Sequence, residues 1–264
     1  MYPFEYHKPI NLDEAANLLA SNEEATVVAG GMTILPTMKQ RLAAPEAVID
    51  LGGIPDLAEI RDEDGELAVG AMTTHMAVAT DPTVKSKIPA LADLADGIGD
   101  AQVRNRGTIG GSIANNDPAA DYPAALVGLG ATVVTNKRRI SADDFFLGLF
   151  ETALDEGEIV AQVRFPVPEF AGYQKFHNPA SRYAIVGVFA GRSAGGVRVA
   201  VTGAGPCVFR VPEMESALSA TWDPAAVSGI QVAPDELNAD LHASAEYRAH
   251  LVTVMAKRAV AAAR

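Results

Sequence analysis

The stretch Gln102-Val103-Arg104-Asn105-Arg106-Gly107-Thr108-Ile109-Gly110-Gly111-Ser112-Ile113-Ala114-Asn115 decides how this chain is read. A glycine pair lets a backbone come close to a ligand, because no Cβ intervenes. Successive N–H groups in such a turn form a concavity for an anion. Hydroxyls beside the pair, here Thr108 and Ser112, add donors for a phosphate oxygen. Alone, a glycine pair reads as a tight turn. A second pair, Ala29-Gly30-Gly31-Met32-Thr33, follows the short apolar run Thr26-Val27-Val28 in the same local setting. Two such segments from two lobes would grip a pyrophosphate between them, with Ala114 closing the second.

The flanks of the longer stretch add to this. Asp117 before Pro118 reads as a turn. Asp121 reads either as the cap of an apolar helix over 123–129 or as an acceptor for ligand hydroxyls, as acidic residues are for ribose in other dinucleotide sites. Gln102, Arg104, Asn105 and Arg106 read as a solvated turn or as donors bracing the glycine loop. Other chemistries lack their motifs. There is no G-x-x-x-x-G-K-(S/T), no G-x-G-x-x-G after a strand and no H-E-x-x-H, and no G-x-S-x-G. The five histidines are scattered, and each reads as a surface or hydrogen-bonded residue. Cys207 reads as simply buried.

Further out, the chain alternates helix and strand signals. Asn11 with Glu14 three positions on is a capping box for a helix carrying Ala15, Leu18 and Leu19 on one face. Strands are expected over 26–29, 48–51, 67–71, 131–134 and 159–165. Helices are expected over 35–42, 75–79, with Thr73 or Thr74 as cap, and 89–97. Breaks at Gly52-Gly53-Pro55 and at Pro166, Pro168 and Gly172 set the expected boundaries: lobes 1–55 and 56–168, then a unit 169–264. That last unit reads as strands near 173–177, 184–190, 197–203 and 206–210, then helices near 213–219 and 247–263, an antiparallel α+β pattern.

Composition bounds the function. At roughly 150 residues per domain, 264 residues make about two domains or one large one. Lys and Arg number 21 against 33 Asp and Glu, a net charge of −12. A duplex-binding surface needs clustered cations, so no nucleic-acid partner is expected. One cysteine cannot supply the four thiolates of an iron–sulfur cluster. No apolar run reaches membrane-spanning length, and Met1-Tyr2-Pro3-Phe4-Glu5 lacks a signal-peptide pattern. The expectation is a cytoplasmic chain with peripheral membrane contact at most.

Taken together, AGGMTILP at 29–36, QVRNRGTIGGSIANNDPAADYPAAL at 102–126, GEIVAQVRFP at 157–166 and GYQKFHNPASRYAIVGV at 172–188 resemble the medium, FAD-binding subunit of the molybdenum hydroxylases, the carbon monoxide dehydrogenase and xanthine dehydrogenase family. The resemblance implies an α+β fold: a two-lobed FAD-binding domain of the vanillyl-alcohol-oxidase or PCMH type, plus a small C-terminal α/β domain of the carbon monoxide dehydrogenase flavoprotein type. It implies that Ala29, Gly30, Gly31, Met32 and Thr33 hold the pyrophosphate from one side, and Thr108, Gly110, Gly111, Ser112 and Ala114 from the other. By the same resemblance Asp121 binds ligand hydroxyls and Ile98 faces the isoalloxazine. Ile159 or Val160 offers backbone to the ring edge. Lys175 lies near the pyrimidine end, where a cation would favour an anionic reduced flavin.

No residue need act as acid or base. Electrons would arrive from 2Fe–2S clusters of a small partner subunit, a large molybdopterin subunit would oxidise the substrate, and the assembly would be a dimer of heterotrimers. The chain departs from the family pattern at Arg182-Tyr183, where relatives carry an acidic residue before an aromatic, at Ile98 and at Met32. Two other readings stand beside this one: a free-standing flavoprotein oxidase of the same fold, and a non-catalytic assembly subunit.

Overall fold

The computed structural model describes residues 1–264. Three main sheets follow one another along the chain. The first is parallel, with Ala47–Asp50 between Glu5–His7 and Ala25–Val28. Parallel strands need crossover connections, and the helices Leu12–Ala20 and Ile34–Lys39 supply them. The first of these starts on the expected box. The Glu14 N–H donates to Asn11 Oδ1 at 2.8 Å, and the Ile10 N–H donates to the Glu14 carboxylate at 3.0 Å.

The second sheet is antiparallel, in the order Ile60–Glu63, Glu66–Gly70, Val160–Pro166, Thr132–Thr135, Arg139–Ser141. Its central strand comes from far along the chain, so the helices between Gly70 and Thr132 are inserted within one sheet. Val160–Pro166 carries a register shift between Val160 and Gln162, at the edge of the cleft described below. The third sheet is a meander of Phe170–His177, Ala184–Ser193, Gly196–Thr202 and Phe209–Arg210. The helices Pro212–Ala220 and Ala245–Ala262 belong to the same part of the chain.

The helix Tyr122–Leu129 lies at the centre, with all eight residues buried. An all-apolar helix belongs inside a core, where every face finds a partner. At Gly128 a Cβ would stand 2.8 Å from the Phe189 side chain, so only glycine lets this helix touch the third sheet there. One buried cluster joins Leu67, Val163 and Phe165 of the second sheet to Tyr173 and Phe189 of the third.

Two expectations need correction, and one pairing was not anticipated. Residues 101–106 are a helix rather than a turn; Asp100 starts it by accepting the Val103 N–H at 2.9 Å. The second glycine pair lies inside the helix Ile109–Asn115, not in a loop. The pairing Phe146–Gly148 with Glu151–Thr152 had no signal that stood out.

Candidate cofactor site

A cleft of about 560 Å³ opens between the first two sheets, within the range of small-molecule and cofactor sites. Ala29, Gly30, Gly31, Met32 and Thr33 line one side. Thr108, Gly110, Gly111, Ser112 and Ala114 line the other. Ile98, Asp121, Ile159 and Val160 also face it. The structure thus gathers fourteen of the fifteen residues that the resemblance singles out. Lys175 is not among the lining residues.

The two glycine segments do different work. Gly30 carries no Cβ because one would stand 1.9 Å from the carbonyl oxygen of Arg106; it lets the two segments touch. Gly31 has φ +72°, the left-handed region glycine enters without cost. The N–H groups of Gly30, Gly31, Met32 and Thr33 donate to no acceptor in the chain. Four successive free donors on a cleft wall form an anion cradle. Thr33 starts the helix Ile34–Lys39 without a side-chain cap bond, so its hydroxyl is uncommitted as well.

In the second segment only the Thr108 N–H is without an acceptor, so there is no run of free donors. Ile109 donates to the Thr73 carbonyl at 3.0 Å, Gly110 to that of Ala71 at 2.8 Å, and Ser112 to that of Thr108 at 3.0 Å. The Gly111 N–H donates to the Thr108 hydroxyl at 3.1 Å. A Cβ on Gly110 would stand 2.7 Å from the Ala71 carbonyl oxygen, so Gly110 is a packing glycine. Gly111 is different. Its added Cβ would meet only the Thr108 hydroxyl at 3.0 Å and the Ala29 methyl at 3.5 Å, across the gap between the segments. The second segment therefore offers close approach rather than an N–H concavity.

Asp121 does not cap its helix through its side chain. Its carboxylate accepts from the Tyr173 hydroxyl and from Lys175. Burial pushes its pKa up, and the Lys175 charge and these hydrogen bonds oppose the rise. Lys175 is thus paired with Asp121 and almost wholly buried. Ile159 is committed too: its N–H donates to Asn136 Oδ1 at 2.8 Å and its carbonyl accepts from the Asn136 N–H at 3.0 Å.

Arg104 braces the segment before the glycines, donating to the carbonyls of Ile98 and Gly99. At the mouth, Ser181, Arg182 and Tyr183 line the cleft. Arg182 is held at φ +63°, and Asn178 fixes the turn by accepting the N–H groups of Ala180 and Ser181. The sequence reading missed His75. It is neither exposed nor hydrogen-bonded: it lines the cleft with 5% of its surface accessible, and its Nδ1 is buried without a partner.

A cradle of free N–H donors, facing a glycine that keeps the opposite wall back, fits the pyrophosphate of a dinucleotide. Comparison with known proteins agrees. The family model described as the FAD binding domain in molybdopterin dehydrogenase matches residues 2–168, and that of the CO dehydrogenase flavoprotein C-terminal domain matches residues 171–263. The chain belongs to this flavoprotein family. It is 36% identical to the carbon monoxide dehydrogenase medium chain of Hydrogenophaga pseudoflava, covering 98% of this chain and 96% of that one. It is 34% identical to the nicotine 6-hydroxylase medium subunit of Paenarthrobacter nicotinovorans, covering 97% and 95%. The solved Hydrogenophaga pseudoflava carbon monoxide dehydrogenase superposes with a TM-score of 0.89, covering 99% of this chain and 98% of that one. Quinoline 2-oxidoreductase from Pseudomonas putida 86 also superposes with a TM-score of 0.89, at 31% identity and with coverage of 98% and 96%. The chain is an FAD-binding medium subunit of the molybdenum hydroxylase type, an oxidoreductase component. No helix is long and apolar enough to cross a membrane.

Proposed function

We propose that this chain relays electrons within a cytoplasmic, three-subunit molybdenum hydroxylase, itself doubled by two-fold symmetry. A small subunit with 2Fe–2S clusters would be the donor, a large molybdopterin subunit would oxidise the substrate, and an external acceptor would take the electron pair. FAD supplies the chemistry that turns single electrons into a pair. The residues of this chain bind and place it. The free N–H groups of Gly30 to Thr33 and the Thr33 hydroxyl hold the pyrophosphate, and Gly111 and Ser112 close the other side. Asp121, fixed by Tyr173 and Lys175, accepts from ligand hydroxyls. Ile98 and Val160 present apolar surface to the ring and keep water from it.

The units 1–55, 56–168 and 169–264 follow the three sheets in this reading, with the first two forming the binding lobes. The observation that carries it is the cleft wall on which four successive N–H groups lack acceptors opposite Gly111. The test is the absorbance spectrum of the complex purified with its neighbours, with chromatography of the released chromophore. Released FAD is the expected result. Gly111→Val, which fills the volume assigned to pyrophosphate oxygens, is expected to leave the complex assembled but without releasable FAD. Full FAD occupancy in that variant would sink the assignment.

A further inference from the structure

Among the groups the proposed function leaves unused, the most costly is the side chain of His75. Its helix, His75–Thr80, is capped by Thr74 and joined to the second glycine segment: the His75 N–H donates to the Gly107 carbonyl at 2.9 Å, and Thr74 bridges Thr108. The backbone thus pins the imidazole at the cleft. The Nδ1 edge points into the protein and has no partner. The interior on that side holds two more hydroxyls without partners, those of Thr73 and Tyr122, and the Tyr122 ring centre lies 5.4 Å from the imidazole. The opposite edge lies against Gly107. A Cβ there would stand 2.5 Å from Nε2 and 2.9 Å from Cδ2. Gly107 is itself a cleft residue, so the absent side chain is what gives Nε2 its opening.

Nδ1 stays without a partner whatever the cleft holds; Nε2, on the Gly107 side, has no partner in the chain either and is the atom a ligand in the cleft could satisfy. Burial, aided by the nearby Arg104 charge, lowers the pKa of His75 to about 4. The ring is therefore neutral at ordinary pH and carries one donor and one acceptor. It lies 5.4 Å from the ring of Tyr122, which follows Asp121, and near Arg104, which holds the carbonyls of Ile98 and Gly99. That is the sector between the residues assigned to the isoalloxazine and those assigned to the ligand hydroxyls.

We propose that His75 is a cofactor-binding residue whose Nε2 makes an uncharged hydrogen bond to the flavin. The inference rests on the flavin reading of the cleft and adds to it a residue with a defined atom. A neutral partner tightens binding without placing a charge beside the ring. The free N–H groups of the first glycine segment serve the pyrophosphate; His75 serves the other half of the ligand.

The test is a titration of the deflavinated, purified complex with FAD, followed by flavin absorbance and fluorescence, on wild type and three variants. Gln places its amide nitrogen near the position of Nε2, and Asn places its own near Nδ1. H75Q is expected to bind FAD close to wild type. H75N and H75L are expected to bind roughly tenfold more weakly or worse, the effect of one lost hydrogen bond to a buried group. Their flavin absorption bands should shift as well. Equal affinity and identical spectra in H75L and wild type would overturn the proposal. If H75L fails to assemble, H75Q against H75N still decides it, since indistinguishable behaviour of those two means that Nε2 is not the contact. A wild-type complex that takes up no FAD would overturn the flavin reading and this inference with it, so the two failures are separable.

Discussion

Lys175 reaches both carboxylate oxygens of Asp121, at 2.9 and 3.0 Å, with only 3% and 5% of the two side chains exposed. A pair buried so deeply is worth less than it costs to break. Removing one partner leaves an uncompensated charge, at about 3–5 kcal/mol. Lys175→Met should therefore lower the thermal midpoint of the chain sharply and raise the Asp121 pKa further, because burial would then be opposed only by the Tyr173 hydrogen bond and the more distant His177. Asp121→Asn in the same background should recover part of the loss, since the neutral amide needs no cation. A double variant as unstable as Lys175→Met would show that Lys175 matters for its packing, not for its charge.

The glycines on the two walls make opposite predictions. Gly30→Ala forces a Cβ to 1.9 Å from a backbone oxygen, which cannot swing away. Gly111→Ala meets a hydroxyl at 3.0 Å and a methyl at 3.5 Å. The first should cost stability, seen as a drop of several degrees in melting temperature. The second should leave melting almost unchanged while lowering FAD occupancy. The reverse pattern would mean that the cleft has been assigned to the wrong wall.

These two glycines also show how far the sequence could be read. The pairs were visible because glycine beside Thr and Ser has few other reasons to recur. That one pair lies on a free strand-to-helix turn and the other within a helix was not visible. The difference is made by distant acceptors, the carbonyls of Ala71 and Thr73. The helix Ala101–Arg106 has no apolar stripe to announce it, and its start depends on Asp100. The pairing of Lys175 with Asp121 was not visible either, because the two lie 54 positions apart and only the fold brings them together. His75 was passed over because a lone histidine is usually exposed or satisfied. Its burial follows from Gly107 packing against it, a long-range contact that local pattern does not encode.

Asn116 ends the cleft helix in the left-handed region, at φ +42°. Its side-chain amide donates to the carbonyls of Gly148 and Glu151, both at 2.8 Å, and its own carbonyl accepts from the Phe150 N–H. Asn tolerates this backbone better than most residues. Asn116→Gly keeps the backbone and loses two hydrogen bonds, an expected cost of about 1–3 kcal/mol. Asn116→Asp turns a donor toward two carbonyls into an acceptor and should cost more. Urea denaturation midpoints rank the two. An Asp variant as stable as the Gly variant would mean that the amide bonds contribute nothing.

Glu158 carries the acid limb of stability. Burial alone would raise its pKa. Hydrogen bonds from Arg138, the Asp155 N–H and the Thr135 hydroxyl, with the Arg138 charge, outweigh burial and hold the pKa at about 2, against an ordinary 4.5. The contacts are close: Arg138 at 3.0 Å, Asp155 at 2.8 Å and Thr135 at 2.6 Å. A carboxylate with a depressed folded-state pKa stabilises the fold above its unfolded value and loses that contribution as the pH falls through the folded value. The contribution of Glu158 should thus be complete above pH 4.5 and disappear between pH 4.5 and 2. Glu158→Gln should be less stable than wild type at pH 6, and the gap should close as the pH is lowered through that window. Denaturant midpoints at pH 6, 4 and 3 measure the gap directly. A gap that stayed constant with pH would mean that Glu158 stabilises the strand end by shape alone, with its charge compensated equally in the unfolded chain.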